Sequence, residues 1–332
     1  MKIQKSLFFS IFICLLLSSC STFWEKDNSP PPSPLVQFEP KVKPRKLWDT
    51  RINFGMNHED LKFNPLLIHD ELIILSQAGT ITSLNKNTGK IQWTMEVKAK
   101  VSSGLAMNDQ LLVVGTKNGE VLAFSTHDRK PLWTAHTESE ILATPVLSQQ
   151  LVIVKSIDGK ISAFSIAEGR LIWRHQAIEP NFILRGASTP QLTSTAVVVG
   201  YANGKVEKLA LKDGHALWTE ALARADGAFA IQRMIDIDAN PLISNNKIFA
   251  ASYQGKLAAL HLSKGSILWD QDLSSYVDLA ADENLIYVSD ADSHIQAFDQ
   301  QTGRLIWKQT QLEARHITGP VLVGPYLVVG DG

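Results

Sequence analysis

From about Leu47 onward, short apolar runs alternate with Gly-centred polar turns. One stretch reads Leu151-Val152-Ile153-Val154, then Asp158-Gly159, Ile161-Ser162-Ala163-Phe164, Glu168-Gly169 and Leu171-Ile172-Trp173. Runs of β-branched and aromatic residues separated by such turns predict antiparallel strands joined by hairpins. The arrangement recurs, with Trp93, Trp133, Trp173, Trp218, Trp269 and Trp307 each closing a unit. The units open at Asn64-Pro65, Ser103-Gly104, Thr144-Pro145, Thr189-Pro190, Asn240-Pro241 and Asp278-Leu279, always 29 or 30 residues before their Trp.

Within the unit, Gly79, Gly119, Gly159, Gly204 and Gly255 hold one turn, and Ser293 takes that place in the sixth unit. Gly89, Gly169, Gly214, Gly265 and Gly303 hold the next turn, where Arg129 is the exception. Gly at these places suggests backbone with positive φ. Four short strands per repeat of about 40 to 45 residues predict an all-β fold, a β-propeller of four-stranded antiparallel blades. The tryptophans are expected in its core, where each would bury about 150–250 Å²; the alternative is that they line a binding surface. Trp48 precedes the first start by 16 residues and reads as the closing strand of a blade whose other strands come from the far end of the chain. A seventh unit opens at Gly319-Pro320, and the sequence is expected to be cut within it, because Gly332 falls two residues before the next turn Gly is due.

Unit length is constant, so variation falls between units. The two longest connections follow one another, Arg174 to Ser188 and Thr219 to Ala239, and should leave the ring on one face. Insertions clustered on one face of a repeat protein mark a binding face. The first carries Phe182-Ile183-Leu184-Arg185-Gly186 and the second Arg233-Met234-Ile235-Asp236-Ile237-Asp238. Apolar groups beside an Arg and alternating carboxylates have the composition of a protein-binding hot spot. The other reading is that Phe182, Leu184 and Ile235 tuck onto the blades while Arg185 pairs with Asp236 or Asp238 and braces the loops; the two are compatible.

The N-terminus sets the compartment. Lys2 and Lys5 precede an apolar run from Leu7 to Leu17, too short to span a bilayer and fitting a secretory signal over residues 1–19. Leu17-Ser18-Ser19-Cys20 looks like a bacterial lipobox, with Cys20 the lipidated first residue and Ser21 directing it to the outer membrane; an ordinary signal peptide is the alternative. The only other cysteine is Cys14, inside the signal, so no internal disulfide is expected. Residues 20–46, crowded with Pro30, Pro31, Pro32, Pro34, Pro40 and Pro44, read as an extended tether reaching up to roughly 80 Å. The propeller is assigned to residues 47–332. A net charge of −1 gives no sign of a nucleic-acid partner.

Taken with the repeat Phe298-Asp299-Gln300-Gln301-Thr302-Gly303-Arg304-Leu305-Ile306-Trp307 and the run Leu184 to Pro190, the lipobox and tether make the chain resemble the BamB family, β-propeller lipoproteins of the outer-membrane β-barrel assembly machine. The resemblance implies eight blades and a non-catalytic scaffold facing the periplasm, with no cofactor beyond the lipid on Cys20. It implies binding to the POTRA domains of BamA through Phe182, Leu184, Arg185, Asp236 and Asp238, and possible contact with unfolded outer-membrane protein precursors. Phe182 stands where Leu is more usual in the family. Two other readings stay open: a PQQ-dependent dehydrogenase, which shares the Trp repeat, and a propeller lipoprotein with another envelope partner. Against the enzyme, the mature chain lacks adjacent cysteines, its nine histidines form no HxH or HExxH pattern, and a Ca²⁺ site needs more converging oxygens than Asp236 and Asp238 supply.

Overall fold

Alternating runs of this kind pair with their neighbours in sequence, and the computed structural model shows that pairing. It describes residues 30–37, 39–52, 62–178, 188–223 and 235–331. The first unit forms β1 (Leu66–Ile68), β2 (Glu71–Leu75), β3 (Thr80–Asn85) and β4 (Ile91–Glu96), an antiparallel sheet in simple sequential order. Five further four-stranded sheets repeat it, spanning residues 106–136, 146–176, 191–221, 242–272 and 280–309. Val321–Val323 and Tyr326–Val328 then pair as the first two strands of a seventh unit. The chain is thus a β-propeller. Strands alternate direction, so the connections between blades and the turn after each second strand share one face; the other two turns share the opposite face.

The apolar core lies between blades. Period-two alternation gives each blade two apolar faces, and each face packs on a different neighbour. Ile73, Leu75 and Ile81 of blade one meet Leu112, Val114 and Phe124 of blade two. The other face of blade two carries Leu111, Val113 and Val121 onto Val152, Val154 and Phe164 of blade three. The same interleaving continues from blade three to four, four to five and five to six. Every blade has a bulge between its third and fourth strands, next to its large apolar residue, as at Ala163/Phe164.

The tryptophans of the units close the edges of the inter-blade cores rather than filling them: Trp93, Trp133, Trp218 and Trp269 pack partly buried against the clusters. Of the six, Trp173 is buried and Trp307 is exposed. Trp133 lies half-buried at the seam, where its indole N–H donates to the Ile166 carbonyl of the next blade at 3.0 Å. Trp48, Trp173, Trp218 and Trp269 make the same bond to Lys86, Leu211, Leu262 and Gln300. Each indole covers the turn glycine three residues further on, so closely that a Cβ on Gly169 would lie 2.4 Å from Trp133 Cε3. These glycines therefore answer two demands, a positive φ (68° at Gly169) and the approach of a neighbour's ring. Arg129 is instructive: its φ is 61°, and its guanidinium sits 4.9 Å over the Trp93 ring, whose N–H is turned to the Glu71 carboxylate at 2.9 Å. In blade five the left-handed residue is Gln254 (φ 49°) rather than Gly255, whose missing side chain makes room for Ser252.

Trp48 docks on blade one as a closing-strand Trp of the preceding blade would, although residues 46–50 form no strand. Within the Pro-rich segment, the Ser33 amide donates to the Glu313 carbonyl at 3.0 Å and Arg315 Nη1 donates to the Ser33 carbonyl at 2.8 Å. The segment is held there.

Candidate functional site

Phe182, Leu184 and Arg185 lie outside the described residues, as does Cys20. The roots of both long connections are described, and they converge on one turn of blade four, Tyr201 to Gly204. Asn203 Nδ2 donates to the Ile178 carbonyl at 2.6 Å, holding the start of the first connection. At its end Ser188 donates its hydroxyl to the Gly200 carbonyl at 3.1 Å. The second connection returns along the same turn: the Ile237 amide donates to the Tyr201 carbonyl at 3.2 Å, and a Cβ on Gly204 would strike Ile235. The two connections are therefore neighbours on one face.

Asp236 and Asp238, read from the sequence as part of a hot spot or as a brace for the loops, are buried. They are 1% and 6% exposed, in a run from Ile235 to Ala239 that is buried throughout. The cause is threading. This run passes between the turn of blade four and that of blade five, whose Tyr253 amide donates to the Asp236 carbonyl at 2.8 Å. Burial pushes the Asp238 carboxyl above its ordinary value, while the charges of Lys62 and Lys155 pull the other way. Lys155 is itself buried, donating to the Gly200 carbonyl at 2.6 Å and lying 5.5 Å from the Tyr201 ring centroid.

Residues that open units four, five and six bond to one another. Asn240 accepts from the Thr189 amide at 2.5 Å and passes two bonds to Asp278, from its amide at 3.0 Å and its side chain at 2.8 Å. Lys62, just before the first unit, reaches this group from across the ring. Its ammonium donates to the Asp238 carbonyl at 2.6 Å and lies 3.6 Å from Asp278 Oδ1. Sequence reasoning missed Lys62, Lys155, Asn240 and Asp278. The signal was present, since most units open on a hydrogen-bonding side chain: Asn64, Ser103, Thr144, Thr189, Asn240 and Asp278.

Asp290, Asp292 and His294 bring three potential ligand atoms within 4.8 Å of one another in the turn before the third strand of blade six. Asp290 Oδ2 is already engaged by His294 Nδ1 at 3.0 Å and Gln296 Nε2 at 2.8 Å, with the Lys308 ammonium at 3.7 Å. A lysine beside the central carboxylate opposes a cation, and the set fits a hydrogen-bonded turn.

Comparison with known proteins agrees with this architecture. The family model described as outer membrane protein assembly factor BamB matches residues 77–309. The outer membrane protein assembly factor BamB of Legionella pneumophila (strain Paris) is 39% identical over 326 residues, covering 97% of this chain and 85% of its own. The crystal structure of BamB from Moraxella catarrhalis superposes with a TM-score of 0.76 at 28% identity, covering 85% of each chain. The quinohemoprotein alcohol dehydrogenase of Comamonas testosteroni reaches a TM-score of 0.54 at 15% identity, over 64% of this chain and 43% of that one, a likeness of fold alone.

Proposed function

The chain belongs to the BamB family of outer membrane protein assembly factors, non-enzymatic proteins built on a PQQ-like repeat, and from that premise we propose that it is a scaffold subunit of the β-barrel assembly complex. In this reading Cys20 carries the lipid that holds it to the outer membrane, facing the periplasm. The connections at 174–188 and 219–239 dock on the POTRA domains of BamA, with Phe182, Leu184 and Arg185 making contact. Asp236 and Asp238 serve the same face from beneath, by fixing the return of the second connection. The observation that carries this reading is the convergence of both connections on the Tyr201–Gly204 turn, since roots held by one rigid turn preorganise a docking surface.

A second role, presenting blade edges to unfolded precursors, is supported by the outer strands. Leu132, Ile172, Leu217, Leu268 and Ile306 are exposed there, each just before its Trp. An apolar free edge is a template for strand addition.

The test is co-purification of the lipidated chain with the POTRA domains of the same organism's BamA, wild type beside Arg185→Ala. Binding by wild type and its loss in a folded Arg185→Ala establishes partner and face. Failure of wild type to bind would leave a propeller lipoprotein with another envelope partner.

A further inference from the structure

We infer that Lys62 is a positioning residue for the loop-bearing face: its ammonium spans the ring axis and pins the return of the second inter-blade connection. The inference rests on the reading of that face as the docking surface. Lys62 is the descending end of the segment that leads into blade one, yet its Nζ contacts lie on the approaches to blades five and six, 176 residues and more along the chain. The bond to the Asp238 carbonyl, at 2.6 Å, is charge-assisted, and such bonds are about twice as strong as neutral ones. The nearby Asp278 carboxylate is held by two donors from Asn240, so the ammonium has a fixed counter-charge at 3.6 Å rather than a mobile one.

The segment it grips is buried and bonded at several points. Among the bonds described, Ile237 gives its amide to Tyr201, Asp236 receives Tyr253, and Asn240 gives its amide to Asp278. Lys62 touches a further backbone acceptor, at Asp238, between these points. Its charge also acts on the buried Asp238 carboxylate, as does that of Lys155 from blade three. The segment before blade one and blades three, four and five are thereby tied to one five-residue run, and Asn240 beside it is tied to Asp278. A docking surface whose roots are fixed before contact spends less ordering entropy on binding. Half-exposed at the mouth of the ring, Lys62 contributes little to the core, so its removal should loosen the run without unfolding the protein.

The experiment is hydrogen–deuterium exchange on the full lipidated chain in detergent, wild type beside Lys62→Met and Lys62→Arg. In Lys62→Met, the amides of Ile237, Asn240 and Tyr253 should exchange roughly tenfold faster or more, the range expected for losing a bond to a charged group. Blades one to three should be unchanged, as should the thermal midpoint to within a few degrees. Lys62→Arg should restore protection, because a guanidinium can reach the same carbonyl. Unchanged exchange in Lys62→Met, or loosening spread evenly over the ring, overturns the inference. Binding to the POTRA domains is measured on the same samples. Faster exchange with weaker binding supports both the pin and the docking face. Faster exchange with undiminished binding supports the pin and overturns the docking face instead.

Discussion

The seam between blades can be tested by a double-mutant cycle on Gly169 and Trp133. Replacing Gly169 by Ala places a methyl group 2.4 Å from Trp133 Cε3 and 2.6 Å from Cδ2, at a residue whose φ is 68°. The backbone strain of an L-residue in the left-handed region is about 1–2 kcal/mol. The clash adds more. The ring must swing out, which forfeits its bond to the Ile166 carbonyl, about 1 kcal/mol, and forces repacking at about 1–3 kcal/mol. The sum is a destabilisation of roughly 3–6 kcal/mol, large against typical single substitutions.

With Trp133→Leu in the background the clash disappears and only the strain remains, so the coupling energy should be about 2–4 kcal/mol. Gly324→Ala supplies a reference, because Gly324 has a similar φ of 58° and no atom within 4 Å of the added methyl. Urea unfolding followed by far-ultraviolet circular dichroism measures all four corners without depending on indole fluorescence. A coupling energy below about 0.5 kcal/mol, the level at which independent sites add, would refute the claim that the indole and the turn glycine act as one unit.

Two further outcomes follow from the same structure. Trp48→Ala should lower stability by roughly 2 kcal/mol and by less than Trp173→Ala, because Trp48 is half-buried and Trp173 buried; a reversed order of urea midpoints would contradict the seam geometry. The Asp238 carboxyl, raised by burial, contributes stability that is fully present below its unfolded value of about 4 and is lost as pH rises through its folded value. Asp238→Asn should therefore gain stability relative to wild type as pH goes from 4 to 7, and parallel stability–pH curves for the two proteins would count against a perturbed Asp238.

Much of the fold could be read from the chain because its signals are local. The run Leu151-Val152-Ile153-Val154 became a strand extended by one residue, to Lys155, and the turn at Gly159 has the positive φ its position suggested. The pairing of Trp133 with Gly169 was hidden because the two lie in different units, and each already had an adequate explanation alone: an aromatic for the core, a glycine for the turn. The buried carboxylates were hidden for a related reason. Nothing local to Asp236-Ile237-Asp238 announces the distant Lys62 and Lys155, whose charges act on Asp238, or the Tyr201 and Tyr253 turns that bond the backbone of the run.

That burial bears on how a repeat protein acquires a unique face. Six similar blades packed by similar seams give a ring with no preferred partner, since most seams are built from the same Trp and turn contact. The opposite face keeps that uniformity, with short turns throughout. The loop-bearing face departs from it in two linked ways, the long connections and the buried charges below them. A buried ion set is weak as a source of stability, and hydrophobic seams already hold the blades together. Its use here is positional: Lys62 and Lys155 address one backbone run among six equivalent ones, where apolar packing alone would not distinguish it. If Lys62→Met leaves the global midpoint unchanged while freeing residues 235–240, charge in this ring selects a register for the loops rather than adding to the strength of the fold.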